Sequence, residues 1–338
     1  MDDATTEFVE AYLDGNIKKL GIDGDDIPFA HRDGIGSIVD YVAGRNRYVG
    51  YLISVASHSY KDLRIGLDCA NGASWMIAKA VFDALGAKTY VIGASPDGLN
   101  VNKDCGSTHI ENLIEFVREN RLDAGFAFDG DADRCIAVDE NGRIVDGDCI
   151  LYILGTRLKS RGILDGDTVV ATVMSNSGLF KAFESAGIKY ELTAVGDRFV
   201  YECMQKNGYR LGGEQSGHII LQKYATTGDG LLTAIMLTEE MRDRKLPLSK
   251  LAEPVRLYPQ TVKSIRVASK EQALSDPEVK AEFDAINKEI NGNGRALLRA
   301  SGTEPVVRIM LECESEELCE KYTARLLEAI HKRGYCCE

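Results

Sequence analysis

The sequence lacks a long apolar run: nothing in its 338 residues approaches the roughly 20 consecutive apolar residues that a membrane-spanning helix needs. It also lacks the basic and then apolar start of a secretion signal, because its first residues, MDDATTEFVEAYLDG, are acidic. We therefore expect a soluble, cytoplasmic chain with no membrane partner.

Cysteine and histidine are present without the spacing that zinc sites require. The nine cysteines form no CxxC pair, and neither they nor the five histidines follow a zinc-site pattern. The odd number of cysteines favours reduced thiols in a reducing compartment. These patterns argue against a zinc domain and against a secreted, disulfide-rich domain.

The sequence also lacks an excess of positive charge: 52 acidic residues outnumber 40 basic ones and give a formal net charge of −12. An acidic surface repels nucleic acid and anionic membranes at long range. Nucleic-acid binding is therefore disfavoured. An anionic small substrate is still allowed, because a local cluster of arginines and backbone N–H groups can outweigh the overall field.

The sequence does contain the composition of an ordinary globular protein, with 44% hydrophobic and 27% charged residues. Strand and helix signals alternate over 41–162, and a series of similar order follows over 163–256. This alternation predicts two consecutive α/β domains, each a mixed or parallel three-layer sheet, and an internal structural duplication. Asn141-Gly142 predicts a β-hairpin. Residues 257–338 predict an α+β domain, and residues 1–40 are too short to bury their own core.

The strongest chemical signal is the acidic loop Asp129-Gly-Asp131-Ala-Asp133-Arg134, which follows the apolar segment AGFAF. Ligands in open α/β sheets gather beyond the carboxyl ends of strands. Three carboxylates this close repel one another unless a cation neutralises them, and hard oxygen ligands suit Mg²⁺. The adjacent arginine indicates a phosphate. A solvated turn or a calcium loop is the alternative, but Glu140 matches the EF-hand only in spacing, because a strand precedes the loop.

The segment Arg299-Ala-Ser301-Gly302-Thr303-Glu-Pro, followed by Arg308, is a second candidate. A Ser-Gly-Thr turn presents hydroxyls and backbone N–H groups, and two arginines flank it, which suits a phosphate. The alternative is a structured hairpin turn with surface arginines.

The third candidate is the glycine-flanked segment 212–218, GGEQSGH. Glycines on both sides let a ligand approach the backbone closely. Glu214 and Ser216, two residues apart on an extended segment, would face the same side and hydrogen-bond sugar hydroxyls or an amine. His218 taken alone is typical of a structural histidine.

Together and in this order, DGDADR, GGEQSGH and RASGTEP resemble the α-D-phosphohexomutase superfamily, as do LDCANGAS, TAVGDRFV and ATTGDG. The resemblance covers essentially the whole chain from about Asp68. It implies that the three motifs are the metal-binding, sugar-specificity and phosphate-binding loops, one on each of the family's second, third and fourth domains. It also implies that residues 1–40 are a remnant of the first α/β domain.

The resemblance further implies a phosphosugar mutase reaction, in which a phosphoserine donates its phosphoryl group and a hexose 1,6-bisphosphate is the intermediate or activator. One Mg²⁺ ion would be held by Asp129, Asp131 and Asp133, with Arg134 supporting the seryl phosphate. The substrate-binding residues implied in the same way are Arg198, Glu214, Ser216, His218, Arg299, Ser301, Gly302, Thr303 and Arg308. The expected partner is a small phosphosugar, and a homodimer is compatible with the resemblance.

Two positions indicate which sugar phosphate is the substrate. Gln215 and Gly302 stand where phosphomannomutase/phosphoglucomutase members more often carry Met and Asn. The chain therefore resembles members that interconvert glucosamine 6-phosphate and glucosamine 1-phosphate for UDP-N-acetylglucosamine and cell-wall synthesis. The alternatives are a phosphomannomutase/phosphoglucomutase and a non-catalytic sugar-phosphate-binding protein.

The family's catalytic serine lies in a SASHNP-like loop of the first domain, and the similar string here is Ala56-Ser57-His58-Ser59-Tyr60. That string lacks the Asn-Pro pair and immediately precedes the first strand of the second domain. We interpret Ser57 as a linker residue. We accordingly expect the chain to lack its phosphoserine and to be inactive alone.

Overall fold

The structure of the protein is a computed structural model that describes residues 3–16, 30–37, 39–290, 292–301 and 305–335. The chain divides into two compact units, Met1–Gly44 and Arg45–Glu338. The first unit contains helix α1, and the second contains three β-sheets.

The helices of the described ranges are α1 (Asp3–Leu13), α2 (Val42–Val55), α3 (Ala78–Ala84), α4 (Glu111–Asn120), α5 (Gly147–Ser160), α6 (Ser177–Ser185), α7 (Asp197–Asn207), α8 (Gly230–Arg244), α9 (Leu248–Ala252), α10 (Lys270–Ser275), α11 (Pro277–Ile290) and α12 (Glu316–Lys332). None of these helices is both long and apolar enough to cross a lipid bilayer. The strands are β1 (Arg64–Asp68), β2 (Lys88–Ile92), β3 (Ala124–Phe128), β4 (Cys135–Asp139), β5 (Ile144–Val145), β6 (Thr168–Thr172), β7 (Lys189–Thr193), β8 (Leu211–Gly213), β9 (Ile219–Leu221), β10 (Gln260–Arg266), β11 (Arg295–Ala300) and β12 (Val306–Glu312).

The first sheet has the strand order β2-β1-β3-β4-β5. Strand β1 pairs in parallel with β2 and β3, whereas β4 runs antiparallel to β3 and forms a hairpin with β5. The hairpin turns at Asn141-Gly142, as predicted, and Gly142 there has a φ of +76°. Because β1, β2 and β3 are parallel, their carboxyl ends lie along one edge, and the acidic loop leaves the sheet at that edge.

The second sheet, in the order β7-β6-β8-β9, repeats this arrangement. Strand β6 is parallel to β7 and β8, and β9 is antiparallel to β8. Each sheet therefore places its first strand between its second and third, with an antiparallel fourth strand beside the third. The duplication predicted from the order of elements is present in the strand order.

One continuous apolar core joins the two sheets and extends from Leu52 in α2 to Val255 after α9. Helix α8 packs against β3 and β4 of the first sheet and against α5. Helix α5, which falls within the segment 41–162 of the sequence-based division, packs against α6, α8 and β8. It therefore contributes to the packing of the second sheet, which follows it in the chain.

The C-terminal domain has a separate apolar core, which extends from Val267 to Ile330. Strand β12 lies between β10 and β11 and runs antiparallel to both, as predicted for an α+β domain. The domain contacts the first residue of α6 through Glu312, which is fully buried. Its carboxylate accepts hydrogen bonds from the Ser177 amide at 3.1 Å, the Ser177 hydroxyl at 2.5 Å and Arg295 Nε at 3.0 Å.

Candidate active site

The acidic loop begins where β3 ends and brings three carboxylates to one point. Ligand atoms of Asp129, Asp131 and Asp133 all lie within 4.8 Å of one another. The loop turns through Ala132, which has a φ of +63°, and the Arg134 amide donates to Asp129 Oδ1 at 3.2 Å. Burial, and then the charges of Asp133 and Asp131, raise the pKa of Asp129 to about 6. A cation among these oxygens would stabilise their ionised form.

Two polar atoms of this loop, Asp133 Oδ1 and Arg134 Nε, are buried without a hydrogen-bond partner among the described residues. Arg134 Nε lies 3.7 Å from Asp129 Oδ2 and 3.8 Å from Asp133 Oδ1. The orphaned oxygen and the set of three carboxylates fit a hard divalent cation such as Mg²⁺. The partly exposed arginine beside them can meet an anion.

The predicted sugar loop, residues 212–218, comprises the end of β8 and the turn before β9, and it is joined directly to the acidic loop. The Cys135 amide donates to the Gly217 carbonyl at 3.0 Å, and Arg134 and His218 form an isolated β-bridge. The two loops come from different sheets. Because these contacts join them, they form one surface at the carboxyl ends of both sheets.

His218 lies beneath that surface, with 3% of its area exposed. Its Nδ1 lies 2.9 Å from Asp133 Oδ2, and its Nε2 accepts the Gly228 amide proton at 3.0 Å. A neutral imidazole carries one N–H, so the proton is on Nδ1 and is donated to Asp133. A Cβ at Gly228 would lie 2.7 Å from the Asp133 carbonyl oxygen, so only glycine fits at this position.

Glu214 and Ser216 follow β8 in the sugar loop. Glu214 is half-buried, and its Oε1 accepts the Gly196 amide proton at 2.9 Å, whereas Ser216 is exposed. Gln215 lies between them, and its Nε2 is 3.4 Å from Oδ2 of Asp146, the N-cap residue of α5. The side chain of Gln215 is therefore engaged with helix α5.

Arg198 lies in the first turn of α7, beside Gly196 and Asp197. Its Nε donates to Glu202, one turn later, at 2.7 Å, and its side chain is mostly exposed. Asp197 Oδ2 lies 4.0 Å from His218 Nε2. The turn thus adjoins the sugar loop, while its arginine pairs along the helix surface.

Arg299 and Arg308 lie directly opposite each other on β11 and β12. Burial, and then the charge of Arg308, lower the pKa of Arg299. Like charges directly opposite across antiparallel strands are destabilising, so an anion between the two guanidinium groups would relieve their repulsion. This pair flanks the predicted phosphate loop on the two strands that it connects.

Ser301 is buried at the end of β11, and its amide donates to the Val306 carbonyl. Gly302 and Thr303, predicted to bind the phosphate, lie outside the described residues. Lys270 Nζ donates to the Ser301 carbonyl at 2.7 Å. This lysine was missed by sequence reasoning, because a single lysine at the start of a helix carries no signal.

Comparison with known proteins places all three domains in one family. Sequence profiles of the phosphoglucomutase/phosphomannomutase family match residues 46–142 (alpha/beta/alpha domain II), 146–258 (alpha/beta/alpha domain III) and 263–329 (C-terminal domain). The phosphoglucosamine mutase of Lachnospira eligens is 58% identical over 327 residues, which cover 97% of this chain and 71% of that protein. The chain belongs to the phosphoglucosamine mutase family. Another phosphoglucosamine mutase, from Bacillus subtilis, is 49% identical over 88% of this chain and 66% of its own length.

Solved structures share the fold of this phosphoglucosamine mutase family member. A phosphoglucomutase/phosphomannomutase family protein from Burkholderia thailandensis has a TM-score of 0.71 at 23% identity, with 86% of this chain and 65% of that chain covered. An Aspergillus fumigatus N-acetylphosphoglucosamine mutase, in complex with GlcNAc-6P and magnesium, has a TM-score of 0.70 at 19% identity, with the same coverage. The chain thus spans slightly less than two thirds of these solved chains.

Ser57 contacts the far end of α8 rather than the acidic loop. Its amide donates to Glu239 Oε2 at 3.1 Å, and its hydroxyl bonds to the same oxygen. The start of α8 contacts the acidic loop instead, through the Gly230 amide and the Ala132 carbonyl at 2.9 Å. Glu239 lies nine residues after Gly230, about 14 Å along the helix. This geometry supports the interpretation of Ser57 as a linker residue.

A further contact at the start of α8 was missed from the sequence. Tyr48 of α2 donates its hydroxyl to Oδ2 of Asp229, the N-cap residue of α8, at 2.8 Å. Asp229 belongs to the ATTGDG string, but nothing local in the sequence links it to a tyrosine 181 residues away. The tyrosine thus stabilises the N-terminus of α8, which contacts the acidic loop.

Proposed function

We propose that this chain provides the metal, sugar and phosphate sites for interconversion of glucosamine 6-phosphate and glucosamine 1-phosphate. The reaction would proceed through a phosphoserine and a 1,6-bisphosphate intermediate and supply cell-wall precursor synthesis in the cytoplasm. The observation that carries the proposal is the direct junction of the acidic loop with the sugar loop, through Cys135 with Gly217 and His218 with Asp133.

In this proposal, Asp129, Asp131 and Asp133 hold one Mg²⁺, which would neutralise charge on the transferred phosphoryl group. Arg134, partly exposed at the rim of the triad, holds the same phosphoryl group through its guanidinium. His218 keeps Asp133 in position.

The sugar is held by Glu214 and Ser216 in this proposal, and the second phosphate by the C-terminal domain. Glu214 offers an acceptor for sugar hydroxyls or an amine, and Arg198 lies on the neighbouring turn. The paired guanidinium groups of Arg299 and Arg308 suit a dianionic phosphate. The roles of Ser301, Gly302 and Thr303 at this phosphate rest on the sequence resemblance.

Phosphoryl transfer needs a donor serine at the metal loop. Ser57 instead contacts Glu239, which lies about 14 Å along α8 from the residue that contacts that loop. We therefore propose that the 338 residues bind the sugar phosphate and Mg²⁺ but do not turn the substrate over alone. The homodimer stays a prediction.

The test is calorimetric titration of the chain with glucosamine 6-phosphate in the presence of Mg²⁺, beside glucose 6-phosphate and mannose 6-phosphate. We expect the tightest binding for the amino sugar and about tenfold weaker binding in Glu214→Ala. Glu328→Ala, which removes an exposed carboxylate on α12, is the matched control. Equal binding of all three sugars would contradict the assignment to glucosamine. Turnover that Ser57→Ala abolishes would contradict the linker role of Ser57.

A further inference from the structure

The junction between β7 and α7 has a backbone geometry that only glycine adopts readily. Gly196 has a φ of +131° and a ψ of +131° and is the N-cap residue of α7. An added Cβ would also lie 3.3 Å from the ring of Phe199. A side chain at this position would force the peptide to rotate, and the direction of the Gly196 N–H would change with it.

That N–H has a specific acceptor, Oε1 of Glu214, at 2.9 Å. Strands β7 and β8 lie on either side of β6, so the hydrogen bond crosses the carboxyl end of the central strand. Glu214 Oε2 accepts no hydrogen bond from the described part of the chain. One carboxylate oxygen is therefore fixed by the backbone, while the other remains for a ligand.

We propose that Gly196 is a positioning residue for the sugar: its amide fixes the Glu214 carboxylate so that Oε2 faces the ligand as a single, oriented acceptor. A hydroxyl or ammonium group on the sugar ring would be recognised by this oxygen, whereas a phosphate would be repelled by it. This inference rests on the proposed function, because it assigns the sugar contact of the same site.

Two ligands, one with the sugar and one without it, distinguish the role of Gly196. Gly196→Ala should weaken binding of glucosamine 6-phosphate about tenfold, as expected when a hydrogen bond to a charged group loses its alignment. Binding of inorganic phosphate should stay within about twofold, because the predicted phosphate site lies on β11 and β12. Gly208→Ala is the matched control, since Gly208 ends the same helix with a φ of +72° and has no atom within 4 Å of an added Cβ.

A double-mutant cycle separates positioning from general damage to the fold. If Gly196 acts through Glu214, then Gly196→Ala should change the dissociation constant of glucosamine 6-phosphate by less than about twofold in a Glu214→Ala background. Thermal unfolding of each variant without ligand shows how much of the effect is structural.

Three results would overturn the inference. The first is binding of glucosamine 6-phosphate that Gly196→Ala leaves unchanged. The second is a tenfold loss that recurs in full when Glu214 is already alanine. Both leave the proposed function standing. The third is the absence of any glucosamine 6-phosphate binding by the unaltered chain, which contradicts the proposed function as well.

Discussion

The Nδ1 atom of His218 lies 2.9 Å from Oδ2 of Asp133, across 85 residues of sequence and between two different sheets. The Gly228 amide occupies the other ring nitrogen, so the imidazole presents its N–H to the carboxylate. Such outer partners orient metal ligands, and their loss typically lowers metal affinity.

Replacing His218 should therefore weaken the metal site without removing a ligand. His218→Ala is expected to raise the dissociation constant for Mg²⁺ about tenfold or more, because Asp133 loses its orienting donor. Titration with Mn²⁺, followed by electron paramagnetic resonance, measures the site directly. His331→Ala, on the exposed side of α12, should have no effect. Unchanged affinity in His218→Ala would remove the histidine from the metal site.

Metal binding should depend on pH through Asp129, whose pKa is raised to about 6 by burial and by the neighbouring carboxylates. A cation has to displace the proton, so the apparent dissociation constant should rise about tenfold for each pH unit below 6 and level off above 7. Calorimetric titrations between pH 5 and 8 measure this. A flat profile across the range would show that Asp129 stays ionised in the metal-free protein.

The raised pKa of Asp129 also determines how this residue affects the stability of the metal-free chain. The folded-state pKa is raised above the unfolded value near 3.9, so the folded state binds the proton more tightly. This group therefore favours folding below about pH 4, and that contribution is lost as the pH rises through 6. Asp129→Asn should raise the melting temperature of the metal-free chain at pH 7 more than at pH 4.

The facing arginines Arg299 and Arg308 should cost stability unless an anion lies between them. Arg299→Met is expected to stabilise the chain by about 0.2–1 kcal/mol in phosphate-free buffer, because it removes a like-charge cross-strand pair. It should also abolish most of the stabilisation that phosphate gives to the unaltered chain. Thermal unfolding with and without phosphate measures both effects. Arg143→Met, on the β4–β5 turn, controls for net charge.

The C-terminal domain should depend on Glu312 for its attachment. The carboxylate is fully buried, and Glu312→Ala would remove the acceptor of Arg295 Nε and of the Ser177 amide. We expect a loss of about 3–5 kcal/mol, as for other buried ion pairs that lose one partner. Denaturant unfolding measures the loss, and Glu312→Gln, which keeps the volume and one acceptor oxygen, should cost less. Equal stability of all three proteins would contradict this role.

Local signals in the sequence were enough to predict the helices and strands and to locate the loops that we propose to bind metal, sugar and phosphate. The Asn141-Gly142 turn, the repeated order of strands and helices, and the antiparallel C-terminal sheet all follow from turn residues and periodicity. The acidic loop could be located because three aspartates after an apolar strand are unusual. Each of these features is determined within a few neighbouring residues.

Contacts between distant segments could not be predicted in this way. His218 taken alone was typical of a structural histidine, and the resemblance implied that it binds substrate. Its partners Asp133 and Gly228 are set by how two sheets pack together. Gln215 was used in the sequence analysis to favour glucosamine phosphates as substrates. In the structure its side chain contacts Asp146 at the start of α5. The packing of α5 against the second sheet is likewise a property of the shared core.

The central claim is that loops on separate sheets serve one phosphosugar. Calorimetric titration of Glu214→Ala and Arg308→Ala with glucosamine 6-phosphate, and with inorganic phosphate alone, tests it most directly. We predict that both substitutions weaken binding of the phosphosugar at least tenfold, while only Arg308→Ala weakens binding of phosphate. Phosphosugar binding that Glu214→Ala leaves unchanged would contradict the claim, because the ligand would then be held without the sugar loop.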